Sequence, residues 1–176
     1  MKEQLQKDFD NTIKNLTLTQ KDIEIKKFYL DNFINKGFPN RKEEDWKFSD
    51  LNQIIKKNIG ELSFYSDYTS TNKVDTSAFV DGLEHNKIVF INGRIEKIDF
   101  DYEKKDQIEI IDQSETINKF NSNSSLSDLN SAFTNKSFKI VVKEGYQLIK
   151  PLIIYHTTNS KIWSKNINLR LNFELY

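Results

Sequence analysis

The sequence KIVFINGRIEKI, at residues 87–98, marks the place where this 176-residue chain changes from helical to strand periodicity. Apolar residues recur on both sides of the pair Asn92-Gly93. Asn-Gly readily adopts the two positive φ angles that a type I′ turn requires, so the stretch predicts a β-hairpin. We therefore expect a helical part before the hairpin and a strand-rich part after it.

Before the hairpin, apolar residues recur at the spacing of amphipathic helices. The first predicted helix has one apolar face, formed by Leu5, Phe9, Ile13 and Leu16. Thr19 and Asp22 match a capping box, which predicts the start of a second helix. Gly37 and Pro39 predict its end. The apolar face of this second helix consists of Ile25, Phe28, Tyr29, Phe33 and Ile34.

Two further helix starts are predicted within and beside the segment RKEEDWKFSDL, residues 41–51. Residues 40–43 form a cap-like pair, and the acidic residues that follow suit the positive end of a helix dipole. Residues 50–53 predict that a helix starts again and runs to about residue 60. We expect Trp46 and Phe48 to face the helical core.

After the hairpin, strand periodicity dominates to the end of the chain. Residues 125–128 predict the cap of one short helix, which carries Leu126, Leu129 and Phe133. Short strands are predicted at 108–111, 138–142, 148–155 and 168–176. Short strands separated by single turn residues such as Gly145 and Pro151 are typical of a β-solenoid. The last strand stops at Tyr176 within an alternating run, so we expect a truncated, N-terminal portion of a longer protein.

Composition narrows the class of protein further. The 26 basic and 26 acidic side chains give a net charge of zero, which argues against a nucleic-acid partner. The chain has no cysteine, so disulfides and thiolate-held metals are excluded within these residues. Residues 1–14 are charged and lack the apolar region of a signal peptide, and no apolar run is long enough to cross a membrane. These features predict a cytoplasmic protein without a membrane partner.

The two histidines, His85 and His156, have no sequence-local histidine or cysteine that would complete a metal site. His85 is expected in an exposed turn before the hairpin, and His156 in a strand. We therefore predict structural or surface roles for both residues and assign no metal ligand.

Carboxylate pairs are the other candidates for chemistry, since two carboxylates can act as acid and base. The pairs are Asp99 with Asp101, and Glu43 with Glu44. A strand end or a helix start explains each pair, and no phosphate-binding or nucleophile motif occurs in the chain. We predict no catalytic and no cofactor-binding residue in this segment.

Four motifs, in this order, resemble the SufB/SufD family, the scaffold proteins of bacterial iron–sulfur cluster assembly. They are RKEEDWKFSDL at 41–51, VFINGR at 89–94, LSDLNSAF at 126–133, and FKIVVKEG at 138–145 followed by KPLIIYH at 150–156. The first two are most similar to the SufD branch. One departure is Phe48-Ser49, where the family commonly has tyrosine and threonine.

The resemblance implies an α+β fold with two domains. Residues 1–80 would be an N-terminal helical domain and linker. Residues 81–176 would be a β-hairpin and the first coils of a right-handed parallel β-helix. The implied function is that of a non-catalytic scaffold subunit, acting with a SufB-like scaffold subunit and a SufC-like ATPase. The cluster-related region of the family lies in its C-terminal half, so no site residue and no cofactor is carried over to this segment.

Two other functions remain open from the residues alone. A stand-alone protein-binding module would use exposed aromatic residues, of which Phe64, Tyr65 and Tyr68 are the candidates. A solenoid enzyme acting on carbohydrate would need acids clustered on consecutive coils. We expect the three aromatic residues to pack the linker against the hairpin instead.

Overall fold

A computed structural model describes residues 2–58, 62–64, 75–114, 124–158 and 166–176, and it has an α+β fold. The helices are α1 (Lys2–Lys14), α2 (Gln20–Lys36), α3 (Leu51–Asn58) and α4 (Ser125–Phe133). The strands are β1 (Asn86–Ile91), β2 (Arg94–Asp99), β3 (Ile108–Asp112), β4 (Lys136–Val142), β5 (Leu152–Thr157) and β6 (Leu169–Leu175).

The chain divides into two compact units, each built from separate stretches of sequence. The helical unit has described residues 2–58, 62–64, 124–135 and 166–168. The strand unit has described residues 75–114, 136–158 and 169–176. The helix α4 therefore belongs to the helical unit, although it follows the hairpin in the chain.

Local capping defines the ends of α2 as the sequence predicts. The backbone N–H of Asp22 donates to Thr19 Oγ1 at 3.2 Å, and the Thr19 N–H donates back to Asp22 Oδ2 at 3.1 Å. Gly37 ends the helix with a φ of +73°, a left-handed conformation that glycine adopts without strain. The capping box and the glycine stop are both confirmed.

The core of the helical unit lies between α1, α2 and α4, with contributions from α3. Its buried apolar residues are Leu5, Phe9, Tyr29, Leu30, Phe33, Phe38, Ile55, Leu129, Ala132 and Phe133. The Phe9 and Phe133 rings meet edge to face, with 6.1 Å between their centroids. The predicted core face of α1 is confirmed for Leu5 and Phe9. On α2, however, Phe28 is 38% exposed, and Leu30 is buried instead.

The segment between α2 and α3 differs from the prediction. Glu44–Trp46 forms one turn of 3-10 helix, Trp46 is half-buried, and Phe48 is 87% exposed, so the core position predicted for Phe48 is wrong. The Asn40 N–H donates to Glu43 Oε1 at 3.1 Å, and the Gln53 N–H donates to Asp50 Oδ1 at 3.0 Å. These two caps close separate turns, and Phe48 falls between them, outside any helix that could direct it inward.

Of the three aromatic residues predicted to pack the linker, the structure describes only Phe64. Tyr65 and Tyr68 lie outside the described residues. Phe64 is described, and its ring stacks on Phe133 with 3.7 Å between centroids and 7° between planes. A parallel bridge joins Phe64 to Asn166. Phe64 therefore packs in the helical unit, and the packing of the linker against the hairpin stays a prediction.

The strand unit contains two three-stranded mixed sheets, in the orders β2-β1-β5 and β3-β4-β6. The hairpin is confirmed: β1 and β2 are antiparallel, and Asn92 and Gly93 have φ angles of +52° and +81°. In each sheet the third strand adds in parallel, β5 on β1 and β6 on β4.

One apolar core lies between the two sheets. The Phe90 ring on β1 lies 5.6 Å from the Phe138 ring on β4, centroid to centroid. The other buried members of this core are Ile88, Phe100 and Ile140. Strand β1 is buried on both faces, because Val89 and Ile91 pack on its other side with Tyr155. The nearly continuous apolar run of β1 reflects this two-sided burial.

Candidate functional site

The first carboxylate pair, Asp99 and Asp101, is brought together at the end of β2. The Asp101 N–H donates to Asp99 Oδ1 at 3.4 Å, and Lys87 and Lys97 lie 3.5 and 3.3 Å from Asp99 Oδ2. Burial disfavours the charged form of Asp99, but the hydrogen bonds from Lys97 and Asp101 outweigh it, so the pKa of Asp99 is lowered. The carboxylate is thereby held ionised, and its contacts join the turn after β2 to both hairpin strands.

In the second pair, Glu43 and Glu44 form separate hydrogen bonds at the 3-10 turn. Glu43 accepts from the backbone of Asn40, as described above. Glu44 Oε1 accepts from Lys47 Nζ at 2.6 Å. Each carboxylate stabilises a local turn, and both residues are exposed.

Glu103 is a buried acid that the sequence analysis missed. It follows β2, is 8% exposed, and accepts hydrogen bonds from the side chains of Asn86 at 2.6 Å and Tyr146 at 2.7 Å. The backbone N–H groups of Ile149 and Lys150 also donate to it, at 3.0 Å each. One carboxylate therefore connects β1 with the loop that precedes β5.

The environment of Glu103 strongly favours its charged form. Burial raises the pKa, but the hydrogen bonds from Tyr146, Asn86 and the two backbone N–H groups lower it more, to about 2. A general acid at neutral pH needs the opposite shift. We therefore interpret Glu103 as a structural anchor of the loop at residues 146–150.

His85 lies in the protein interior, at 4% exposure, so the exposed turn predicted for it is wrong. Its Nδ1 lies 2.6 Å from the carbonyl oxygen of Leu83, which can only accept, so Nδ1 carries the proton. In the neutral ring Nε2 is then the acceptor, and it accepts the hydroxyl proton of Tyr155 at 2.7 Å. Tyr155 in turn accepts from the Val80 N–H at 3.0 Å. Both ring nitrogens are thus used to join the segment before β1 to β5.

Replacement of Tyr155 by phenylalanine is expected to lower the free energy of unfolding by about 1–2 kcal/mol, because one buried group and one part-buried group lose their partner. Those groups are the Nε2 atom of His85 and the N–H of Val80. Urea denaturation measures the effect. Tyr102→Phe is the control, since Tyr102 is 40% exposed and the hydroxyl loss there should cost little. Equal stability of both variants would contradict the buried network.

His156 lies in β5, which confirms the strand predicted for it, and its side chain is exposed. Its ring lies 6.3 Å from the ring of Phe90, centroid to centroid, in an edge-to-face arrangement. Partial burial of the imidazole lowers its pKa. Within the described ranges, no group of three or more acidic or histidine side chains is placed to hold a metal ion.

The outer strands of the two sheets are a candidate interaction surface. Across the described part of the chain, β5 and β6 each pair with one strand and have a second edge without a strand partner. Near the end of β6, Phe173, Leu175 and Tyr176 are 50%, 75% and 67% exposed. Open edges with exposed apolar residues are typical of surfaces that accept another strand.

No helix in the described ranges has both the length and the apolar character needed to span a lipid bilayer. No protein-family model and no curated protein matches this chain. The relationship to the SufB/SufD family therefore remains a proposal that depends on the four motifs and on their places in the fold.

Proposed function

We propose that this chain is a SufD-like scaffold subunit of an iron–sulfur cluster assembly complex. It would act in the cytoplasm through a SufB-like scaffold subunit and a SufC-like ATPase, and not by catalysis of its own. Residues 81–176 would then be the hairpin and first coils of a right-handed parallel β-helix. This proposal explains the order of the four motifs, and the strand arrangement supports it.

The alternation of the chain between the two sheets is the observation that carries the proposal. From β4 onward, successive strands lie in the second sheet, the first sheet and the second sheet again. The strand β4 is antiparallel to β3, and the two strands after it add in parallel to earlier ones, β5 over six residue pairs and β6 over seven. A solenoid coil has this path, because each turn stacks on the same face of the turn before it.

Side chains of similar type also stack between paired strands. Ile88 pairs with Ile154, and Phe138 pairs with Leu171. Such apolar columns are expected when stacked coils share one continuous core. Pro151, just before β5, accepts from the Asn86 N–H at 2.9 Å through its carbonyl, which extends the stacked ladder by one residue.

The motifs that carry the resemblance lie on distinct elements of the structure. The Asn-Gly-Arg motif is the turn of the β1–β2 hairpin, and the motif at 126–133 is most of α4. Gly145 has a φ of +72° in the turn after β4. This order agrees with the element order that the resemblance implies, and it supports the proposal beyond the match of letters.

In the proposed β-helix, the outer edges of β5 and β6 would pair with the strands of the next coil through main-chain hydrogen bonds. The role proposed for this chain is to hold partner subunits in place, and the resemblance implies that most of those contacts lie outside this segment.

A stand-alone protein-binding module is the second candidate function, and the exposed Phe48 favours it. Phe64 does not serve such a module in the way the sequence suggested, because its ring is stacked on Phe133. The two functions differ in what loss of the protein would do to iron–sulfur enzymes.

Depletion of this gene product in its own cells tests the proposed function. We expect the activities of several unrelated iron–sulfur enzymes to fall together, while enzymes without a cluster keep theirs. Re-expression should restore the activities. Purification under anaerobic conditions should also recover the SufB-like and SufC-like subunits with the tagged protein. Unchanged iron–sulfur enzyme activities after full depletion would overturn the proposal and favour the binding module.

A further inference from the structure

Phe48 has the most exposed large apolar side chain among the described residues, at 87%. A single exposed apolar residue needs no explanation by itself. Phe48 differs from such a residue because two interactions order the chain around it. The Ser49 N–H donates to the Trp46 carbonyl at 2.8 Å. Lys47 forms a salt bridge with Glu44 at 2.6 Å. The Lys47 ammonium also lies 5.3 Å from the centre of the Phe48 ring. The ring is thus presented to solvent by an ordered turn.

Close to Phe48, the helical unit has a shallow cleft with uncompensated positive charge. It is lined by Arg41, Asp50, Gln53, Lys56 and Lys57, and we call it the basic cleft. Its three cations are exposed, and none of them forms an ion pair within the described ranges. The one carboxylate, that of Asp50, accepts from the Gln53 N–H at the start of α3. This local charge exists although the whole chain has a net charge of zero.

Phe48 and the basic cleft are near enough to contact one ligand. The Cα atoms of Phe48 and Asp50 are two residues apart and so lie within about 7.6 Å of each other, because consecutive Cα atoms are 3.8 Å apart. An exposed aromatic ring beside several cations fits a ligand that combines an apolar group with negative charge.

We propose that Phe48 and the basic cleft form a docking surface for an acidic segment of a partner protein. An apolar side chain of that segment covers the Phe48 ring, and its carboxylates pair with Arg41, Lys56 and Lys57. This inference is independent of the iron–sulfur proposal, since it uses only the surface of the helical unit.

The charges around Phe48 favour a protein segment over nucleic acid or an anionic membrane. Glu43, Glu44 and Asp45 are exposed in the turn that precedes Phe48, and they would repel a continuous line of phosphates. A protein segment carries its carboxylates at separate positions, so it can place them at the cleft and place neutral or basic residues beside the acidic turn.

A photo-crosslinking experiment in the protein's own cells identifies the ligand class. p-Benzoylphenylalanine replaces Phe48 in the full chain, and mass spectrometry locates the cross-linked residue. A second probe at Lys14, which is exposed on α1, reports background contacts. We expect a cross-link specific to position 48, in a segment with carboxylates on both sides of an apolar residue.

Binding measurements with the identified partner then test the charge pairing. Phe48→Ala should weaken binding about tenfold or more, as for an apolar anchor at the centre of an interface. The double change Lys56→Glu with Lys57→Glu should weaken it similarly, and lysine in place of the partner's acids should restore binding to the double variant. Lys7→Glu with Lys27→Glu is the matched control, because both lysines are exposed on α1 and α2. Ile149→Ala, at 62% exposure, is the apolar control.

Thermal unfolding separates loss of binding from loss of folding. Phe48→Ala should leave the unfolding midpoint unchanged, because the ring contributes little buried area. Cross-links from position 48 to RNA or lipid alone, or none above background, would overturn the docking surface. Binding that neither Phe48→Ala nor the charge reversal weakens would overturn it too. A confirmed partner outside iron–sulfur assembly would support the surface and count against the proposed function.

Discussion

Replacement of Lys26 by alanine is expected to lower the free energy of unfolding by about 4 kcal/mol, since a buried stem and its charge-assisted hydrogen bonds are both lost. Lys26 is only 2% exposed in α2. Its ammonium donates to the carbonyl oxygens of Thr134 at 2.5 Å and Ala132 at 3.4 Å. These carbonyls lie at the C-terminal end of α4, where the helix dipole is negative and a cation is stabilising.

Methionine at position 26 separates the ammonium from the stem. Lys26→Met keeps most of the buried aliphatic volume, so we expect a smaller loss of about 2–3 kcal/mol from the hydrogen bonds alone. The neighbouring Lys27 is exposed, and Lys27→Met should change stability by less than about 0.5 kcal/mol. Urea denaturation gives the free energies, and hydrogen exchange on α4 shows whether the loss occurs there. A Lys26→Met protein as stable as the Lys27→Met control would refute the role of the ammonium.

Glu103→Ala is the second change with a large expected effect, a loss of about 3–5 kcal/mol in the free energy of unfolding. Removal of the carboxylate leaves four donors without their acceptor, two of them backbone N–H groups. Glu103→Gln preserves the shape of the side chain but turns an N–H₂ group toward donors. We expect this variant to lose about 2–3 kcal/mol in the free energy of unfolding. Glu144→Gln is the control, because Glu144 is exposed in the turn after β4.

The effect of Glu103 should also depend on pH in a defined direction. Its pKa is lowered from 4.5 to about 2 in the folded protein, so its stabilisation is present above pH 4.5 and is lost as the pH falls toward 2. The full pKa shift would correspond to a contribution of about 3 kcal/mol to the free energy of unfolding. Screening by the solvent beside loop 146–150 reduces that contribution to about 1–2 kcal/mol.

A comparison of the wild type and Glu103→Gln at pH 7 and pH 3 isolates this contribution. Other acids, such as Asp99 and Asp112, also have lowered pKa values. Their protonation at low pH should destabilise the wild type and the variant equally. The stability difference between the two proteins should therefore shrink at pH 3. A difference that stays constant between the two pH values would show that Glu103 is not held ionised.

Local signals predicted the secondary structure well. The capping box at Thr19 and Asp22, the glycine at 37 and the Asn-Gly turn at 92–93 act over at most four residues. Their outcome depends on backbone preferences that are nearly the same in any fold. The start of α4 was predicted within one residue, since Ser124 and not Ser125 is at the N-cap position.

Predictions about side chains between elements were less successful. Phe48 was expected in the core because aromatic residues usually are, but two adjacent caps leave it outside any helix. His85 was expected in solvent because polar neighbours surround it in the sequence, yet Tyr155, 70 residues away, covers it. In both cases the deciding partner or turn was not visible in the hydrophobic periodicity.

The sequence by itself determined the order of the main helices and strands, the caps of α2, the turn of the hairpin, and that this chain has an α+β fold. Only the tertiary structure decided which polar groups become buried anchors. The Lys26 ammonium meets a carbonyl 108 residues away, and Glu103 meets the Lys150 N–H 47 residues away. Capping and turn preferences are local free energies that short motifs encode. The burial of a charge is stable only where distant donors or acceptors converge on it, and that convergence is a property of the packed chain.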